Sequence, residues 1–118
     1  METKAAVKAL AALAQETRLS LFRLLVQAGE GGVPAGEIAK SLAVPNATLS
    51  FHVKELVNAG LVVARQEGRY IYYAADYAAM NAVVAFLTEN CCGGQPCGPA
   101  DCCAAPNPPE SINDETSP

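Results

Sequence analysis

The sequence predicts a mainly α-helical domain carrying one small β-hairpin, and three observations predict it. Apolar residues at helical spacing dominate the first sixty positions, give way to β-branched and aromatic segments between Leu61 and Ala74, and return at helical spacing from Tyr77 to about Asn90. A chain of 118 residues, 51% of them hydrophobic, suffices for a single core. Beyond that point the pattern stops. Residues 91 to 118 hold six of the eight prolines, all five cysteines, no aromatic residue and one large aliphatic side chain, Ile112. We therefore expect a folded domain over residues 1–90 and a cysteine-rich tail over 91–118, largely flexible because it has too little apolar surface to fold alone.

Within the first part, Thr3 to Ala14 is apolar nearly all round, with Val7, Leu10 and Leu13 the largest among many alanines. A helix without a clear polar face is buried on more than one side. In so short a chain that points to a subunit interface. Glu16 to Ala28 repeats the helical pattern through Leu19, Phe22, Leu25 and Val26, and Gly29, Gly31 and Gly32 end it. Leu13, Leu19 and Phe22 are expected in the core. Val33-Pro34 is long enough only for an edge-strand stub. Glu37 to Leu42 then forms a short amphipathic helix with Ile38, Ala39 and Leu42 inward, and Ala43 to Pro45 leaves room only for a turn.

The stretch that follows organises the rest. Leu49, Val53, Leu56 and Val57 fall on one side of a helix that is expected to be buried. The opposite side carries Ala47, Thr48, Phe51 and Lys54, flanked by Ser50 and His52: small, hydroxylic or basic groups suited to close approach and hydrogen bonding. Its start is ambiguous between Pro45 as first residue and Asn46 as cap. Gly60 is expected to close it in a left-handed conformation. Two helices joined by a three-residue turn, the second with a compact polar face, is the arrangement of a DNA-reading helix-turn-helix.

From Leu61 the residues suit strands. Leu61 to Arg65 and Arg69 to Ala74 are expected to pair across a Gln66-Glu67-Gly68 loop, placing Arg65 and Arg69 beside the tip of a wing where they can meet phosphate or a minor groove. Asp76 is a candidate N-cap for the last helix, whose stripe runs through Ala79, Val83, Phe86, Leu87 and Asn90. The first and last helices together offer more apolar surface than one small winged domain needs, so a homodimer through these terminal helices is expected. The fold class is thus a winged helix-turn-helix, mainly α with a small β-hairpin. The DNA-facing candidates are Asn46, Thr48, Ser50, Phe51, His52, Lys54, Arg65 and Arg69.

The formal net charge of −4 weighs against a nucleic-acid partner until its distribution is considered. All eight Lys and Arg lie before residue 70, whereas Asp101, Glu110, Asp114 and Glu115 lie in the tail, leaving residues 1–90 formally neutral. No apolar run approaches the ~18 residues of a membrane span, and Met1-Glu-Thr-Lys-Ala does not resemble a signal peptide, so a cytoplasmic protein with no membrane partner is expected.

Five thiols, Cys91, Cys92, Cys97, Cys102 and Cys103, fall within 13 residues and none lies elsewhere. A disulfide framework is disfavoured in a reducing compartment and between adjacent cysteines. Zinc fits the Cys92-x4-Cys97-x4-Cys102 spacing, but CxxC pairs are missing and His52, the single histidine, belongs to another helix. A soft trivalent ion, arsenic or antimony, needs only three sulfurs and tolerates a flexible loop, which suits an adjacent pair with a third thiol five or six residues away. A thiol enzyme is not supported, since no carboxylate pair or histidine accompanies the cysteines. A thiol-based metal carrier remains a distant alternative.

These residues resemble the ArsR/SmtB family of metal-sensing repressors across roughly residues 5 to 92. The likeness rests on AALAQETRLSLFRLL, on TLSFHVKELVNAGLV and on the run from Arg65 to Tyr73. It implies a winged-helix homodimer that binds a palindromic operator and leaves it when an inducer binds. It also implies that Thr48, Ser50 and His52 read the groove and that Arg65 to Arg69 form the wing. The segment from Glu37 to Ala43 lacks the cysteines of the commonest arsenic-sensing pattern, and Asp76 is followed by no histidine as the zinc pattern requires. The chain instead resembles the branch whose arsenite site follows the last helix. That resemblance implies Cys91, Cys92 and Cys97 as ligands of As(III) or Sb(III), with Cys102 and Cys103 leaving the choice of third thiol, and of pair, open. A zinc- or redox-sensing winged-helix repressor is the alternative.

Overall fold

The computed structural model describes residues 1–94. The chain divides into two units, Met1–Leu87 and Thr88–Pro118. In the first, α1 (Thr3–Leu13), α2 (Glu16–Ala28), β1 (Val33–Pro34), α3 (Ala35–Leu42), α4 (Asn46–Asn58), β2 (Val62–Glu67), β3 (Tyr70–Ala75) and α5 (Tyr77–Leu87) follow in order. The described part of the second unit contains a 3₁₀ turn, Cys91–Gly94. No described helix is long and apolar enough to cross a membrane.

The five helices and the antiparallel sheet, ordered β1-β3-β2, form the expected winged helix-turn-helix. Leu21, Leu25, Ile38, Leu56 and Leu61 are the largest fully buried side chains. They come from α2, α3, α4 and the approach to β2, so one apolar cluster holds both helices of the motif against the scaffold. At about 1.5–3 kcal/mol for each fully buried Leu or Ile, this cluster dominates the favourable side of folding.

Helix ends follow local chemistry. The Gln15 side chain accepts a hydrogen bond from Arg18 N at 2.8 Å, capping α2. The Asp76 carboxylate accepts from Ala79 N at 3.0 Å, the cap expected for α5. Pro45 takes the N-cap position of α4 with φ −63° and no side-chain cap, and Asn46 is the first helical residue, which resolves the ambiguity differently from either alternative. At the other end Gly60 N donates to Val57 O at 3.0 Å and Leu61 N to Leu56 O at 3.0 Å, with Gly60 at φ +82°. This is a Schellman closure, and its accompanying apolar contact, Leu56 with Leu61, is part of the core. The turn between α3 and α4 uses the same bonds, Ala43 N to Lys40 O and Val44 N to Ala39 O, around Ala43 at φ 55°.

Leu19 and the hairpin loop depart from expectation, and the first helix packs in a way its pattern left open. Leu19, expected in the core, is 45% exposed, because α2 instead buries Leu21, Phe22 and Leu25. The first helix buries its alanines, Ala6, Ala9 and Ala12, while Val7 and Leu10 remain 58% and 39% exposed. Alanine lets α1 lie close against its own domain and turns the larger side chains outward. In the hairpin, Glu67 pairs with Tyr70, so the loop is Gly68-Arg69 rather than Gln66 to Gly68. Positive φ at Gly68 alone of these two matches a II′ connection, whose twist suits paired strands.

Gly32, just before β1, shows why the sheet tolerates no side chain there. Its φ is +83°, and a Cβ would stand 2.9 Å from Tyr73 O on the central strand. Gly32→Ala is expected to destabilise the domain by about 2–3 kcal/mol, since strain and displaced strand backbone add. Thermal unfolding followed by circular dichroism checks this: a melting temperature unchanged within a degree would contradict it.

Candidate nucleic-acid interface and cysteine turn

The outward face of α4 is built as its sequence suggests. Asn46, Ala47, Thr48, Ser50, Phe51 and Lys54 are all exposed, while Leu49, Val53 and Leu56 hold the opposite face in the core. One amide, two hydroxyls, one ammonium and one aromatic ring therefore share one accessible surface. Such a surface can donate and accept hydrogen bonds at base edges, and Lys54 can neutralise a phosphate.

His52 departs from expectation. It is only 8% exposed and lies on the buried side, whereas Val57, expected inward, is 37% exposed. The buried set at positions 49, 52, 53 and 56 follows i, i+3, i+4, i+7, a slightly rotated version of the predicted stripe. The physical reason is Arg18 on α2. Its Nη1 lies 3.3 Å from His52 Nδ1 and its Nε donates to Ala12 O, near the end of α1, at 2.6 Å. Arginine has donors only, so in this contact Nδ1 is the acceptor. The imidazole thus has a partner inside, and burial costs it little. Arg18 is the residue that pattern reading missed. It lies within the AALAQETRLSLFRLL segment, but nothing local indicates its partner.

On the wing, Arg65 is not at the tip. It sits mid-strand, where Nε pairs with Glu67 Oε2, Nη2 donates to Gly31 O at 2.8 Å and the guanidinium lies 5.2 Å from the Tyr72 ring centroid. Three contacts tie it to the sheet and to the β1 approach, so much of its hydrogen-bonding capacity is used within the domain. Arg69 occupies the exposed two-residue turn itself. Of the two wing arginines, the structure presents Arg69 at the outermost position of the hairpin. Tyr77, at the start of α5, donates its hydroxyl proton to Val26 O at 2.8 Å and so fastens the last helix to the end of α2.

Cys91 and Cys92 lie in the 3₁₀ turn, where Cys91 N donates to Thr88 O at 3.0 Å and Gly93 N to Asn90 O at 3.1 Å. Their sulfurs are 3.5 Å apart, close but not bonded to each other. Cys92 adopts φ 58°, ψ 34°, the left-handed geometry that folds the turn back on itself. Both cysteines are exposed. Among the described residues no three His, Cys, Asp or Glu side chains gather into a metal-holding group. Cys97, Cys102 and Cys103 lie outside the described residues.

A helix-turn-helix whose second helix bears an exposed polar face, followed by a two-stranded wing, defines a DNA-binding winged helix-turn-helix regulator. A helix-turn-helix domain family model matches residues 13–65. The arsenical resistance operon repressor of Bacillus subtilis (strain 168) is 30% identical over 92 residues, covering 78% of this chain and 84% of that protein. The chain belongs to the ArsR family of transcriptional repressors, which are DNA-binding regulators and not enzymes. Among solved structures, an ArsR-like transcriptional regulator from Rhodococcus sp. RHA1 superposes with a TM-score of 0.62 at 28% identity, covering 71% of this chain and 76% of that one. The homodimeric winged helix-turn-helix DNA-binding domain of a possible ArsR-family regulator from Mycobacterium bovis gives 0.59 at 28% identity, with coverages of 80% and 88%.

Proposed function

We propose that this repressor occupies its operator as a homodimer while metal-free and leaves it when trivalent arsenic or antimony binds through cysteine thiolates. The observation that carries the inducer class is the adjacent pair Cys91–Cys92, its sulfurs 3.5 Å apart in one tight turn. That pair supplies two soft donors side by side, and a thiophilic ion that needs three sulfurs draws the third from Cys97, Cys102 or Cys103. The similarity to an arsenical resistance repressor supports the same ion class. Each thiol gives up its proton on binding, so affinity rises with pH. The metalloid-binding tail is residues 91–118, and the domain of residues 1–90 carries DNA binding and dimerisation.

On the DNA, Thr48, Ser50 and Phe51 face bases, with Asn46 and Lys54 at either end of the reading face and Arg69, assisted by Arg65, holding backbone phosphate. His52 contributes by setting the rotation of α4 through Arg18 rather than by reaching the groove. The exposed apolar residues of the terminal helices, Val7 and Leu10 on α1 and Leu87 on α5, form the dimer contact. In thermodynamic terms, an ion that lowers DNA affinity must itself bind DNA-loaded protein more weakly by the same factor.

The test is fluorescence anisotropy of a labelled duplex from the DNA upstream of the coding sequence, titrated with reduced protein and then separately with arsenite, antimonite and zinc. Release by the metalloids at concentrations where zinc has no effect is the expected result. The clustering of five thiols within 13 residues favours one second reading, a redox-sensing repressor, and release by peroxide with no response to metalloid would select it.

A further inference from the structure

We infer that Phe51 is a specificity-determining residue that reads the C5-methyl group of one thymine in each half-site. The inference rests on the proposed DNA-reading role of α4 and deepens it. Phe51 is 56% exposed at the middle of the reading face, between Thr48 and Lys54 on successive turns. A solvated phenylalanine contributes little to folding, and it is the one large apolar group among polar neighbours there. In the major groove the thymine methyl is the only apolar feature of a base edge. An aromatic side chain at the centre of a groove-reading face therefore matches one base and no other.

The ring is also oriented. Its centroid lies 5.3 Å from that of His52, at an interplanar angle of 62°, an edge-to-face arrangement. His52 is in turn buried and tied to Arg18, whose Nε bonds Ala12 O. A chain of contacts thus runs from the end of α1 through Arg18 and His52 to the reading ring. Phe51 meets the base, and His52 and Arg18 are positioning residues.

The experiment first enriches duplexes from a randomised library with the full-length reduced protein. Each thymine of the winning duplex is then replaced by deoxyuridine, which deletes only the methyl group, and affinity is measured for wild type, Phe51→Leu and Phe51→Ala. Wild type is expected to lose roughly fourfold in affinity for one methyl and ~15-fold for a symmetric pair, at one position per half-site. Phe51→Leu keeps part of that penalty, and Phe51→Ala binds thymine and uracil duplexes equally. Phe51→Ala unfolds at the wild-type temperature, since the side chain is largely outside the core. Uracil tolerance at every position in wild type, or an undiminished penalty in Phe51→Ala, overturns the assignment while leaving DNA recognition intact. Enrichment of no duplex at all overturns it together with the DNA-reading role, which distinguishes the two failures.

Discussion

Cys91→Ser with Cys92→Ser is expected to abolish arsenite-induced release of operator DNA while leaving metal-free affinity within about twofold of wild type. Serine is nearly isosteric but stays protonated and offers a hard oxygen, so a thiophilic ion loses two of its three donors. Three tail thiols remain, Cys97, Cys102 and Cys103, and on this assignment they do not restore the response, because it is in the proximal pair that the second sulfur is already in place once the first has bound. Wild type is expected to show a coupling of about 5- to 150-fold between ion and DNA, the range typical of allosteric regulators, and the double variant none. The measurement is DNA affinity with and without saturating arsenite under reducing conditions. Cys102→Ser with Cys103→Ser run in parallel identifies the pair: if that variant loses the response and the first keeps it, the ligand set belongs to the distal thiols. Both cysteines of the proximal pair are exposed and lie outside the domain core, so the substitution leaves folding undisturbed.

Val7→Glu with Leu10→Glu is expected to convert the protein to a monomer and to weaken operator binding by about 100-fold or more. The reasoning starts from the unusual economy of α1, which packs on its own domain with alanine and exposes its larger residues. α5, likewise, buries Val83 and leaves Leu87 60% exposed. Charges at positions 7 and 10 cost little in an isolated domain, since both side chains already meet solvent, but they oppose desolvation at a subunit contact. Loss of one reading head removes the gain from tethering two half-site contacts, which is of the order of 10²–10⁴. Sedimentation equilibrium should report a 12.2 kDa species in place of twice that mass. A dimer that persists would place the contact on another face. Unchanged melting of the dilute variant separates this outcome from simple misfolding.

Much of the architecture is legible in the chain because it depends on near neighbours. The period change at Leu61, the turn at Ala43 to Pro45, the closing Gly60 and the Asp76 cap each lie within a few residues of the element they shape. The cysteine pair is legible too, as a cluster with no structural use in a core. The rotation of α4 is less so. Helical periodicity narrows the buried face to one side, but an apolar Val57 and a polar His52 compete for its edge, and hydrophobicity alone picks the valine. The residue that decides, Arg18, is 34 positions away. The same holds for Arg65, whose partner Gly31 is also 34 residues distant and whose tyrosine lies across the hairpin.

The sequence by itself determined the order of the elements, the exposed polar face of the reading helix and the family, because period, caps and turn residues act over a few positions. Only the tertiary structure decided that His52 is a buried support, that Arg65 is spent on the sheet while Arg69 takes the tip, and that α1 packs on its alanines. Each of those outcomes depends on which distant group comes within hydrogen-bonding or packing distance, and that depends on how the elements are brought together in space.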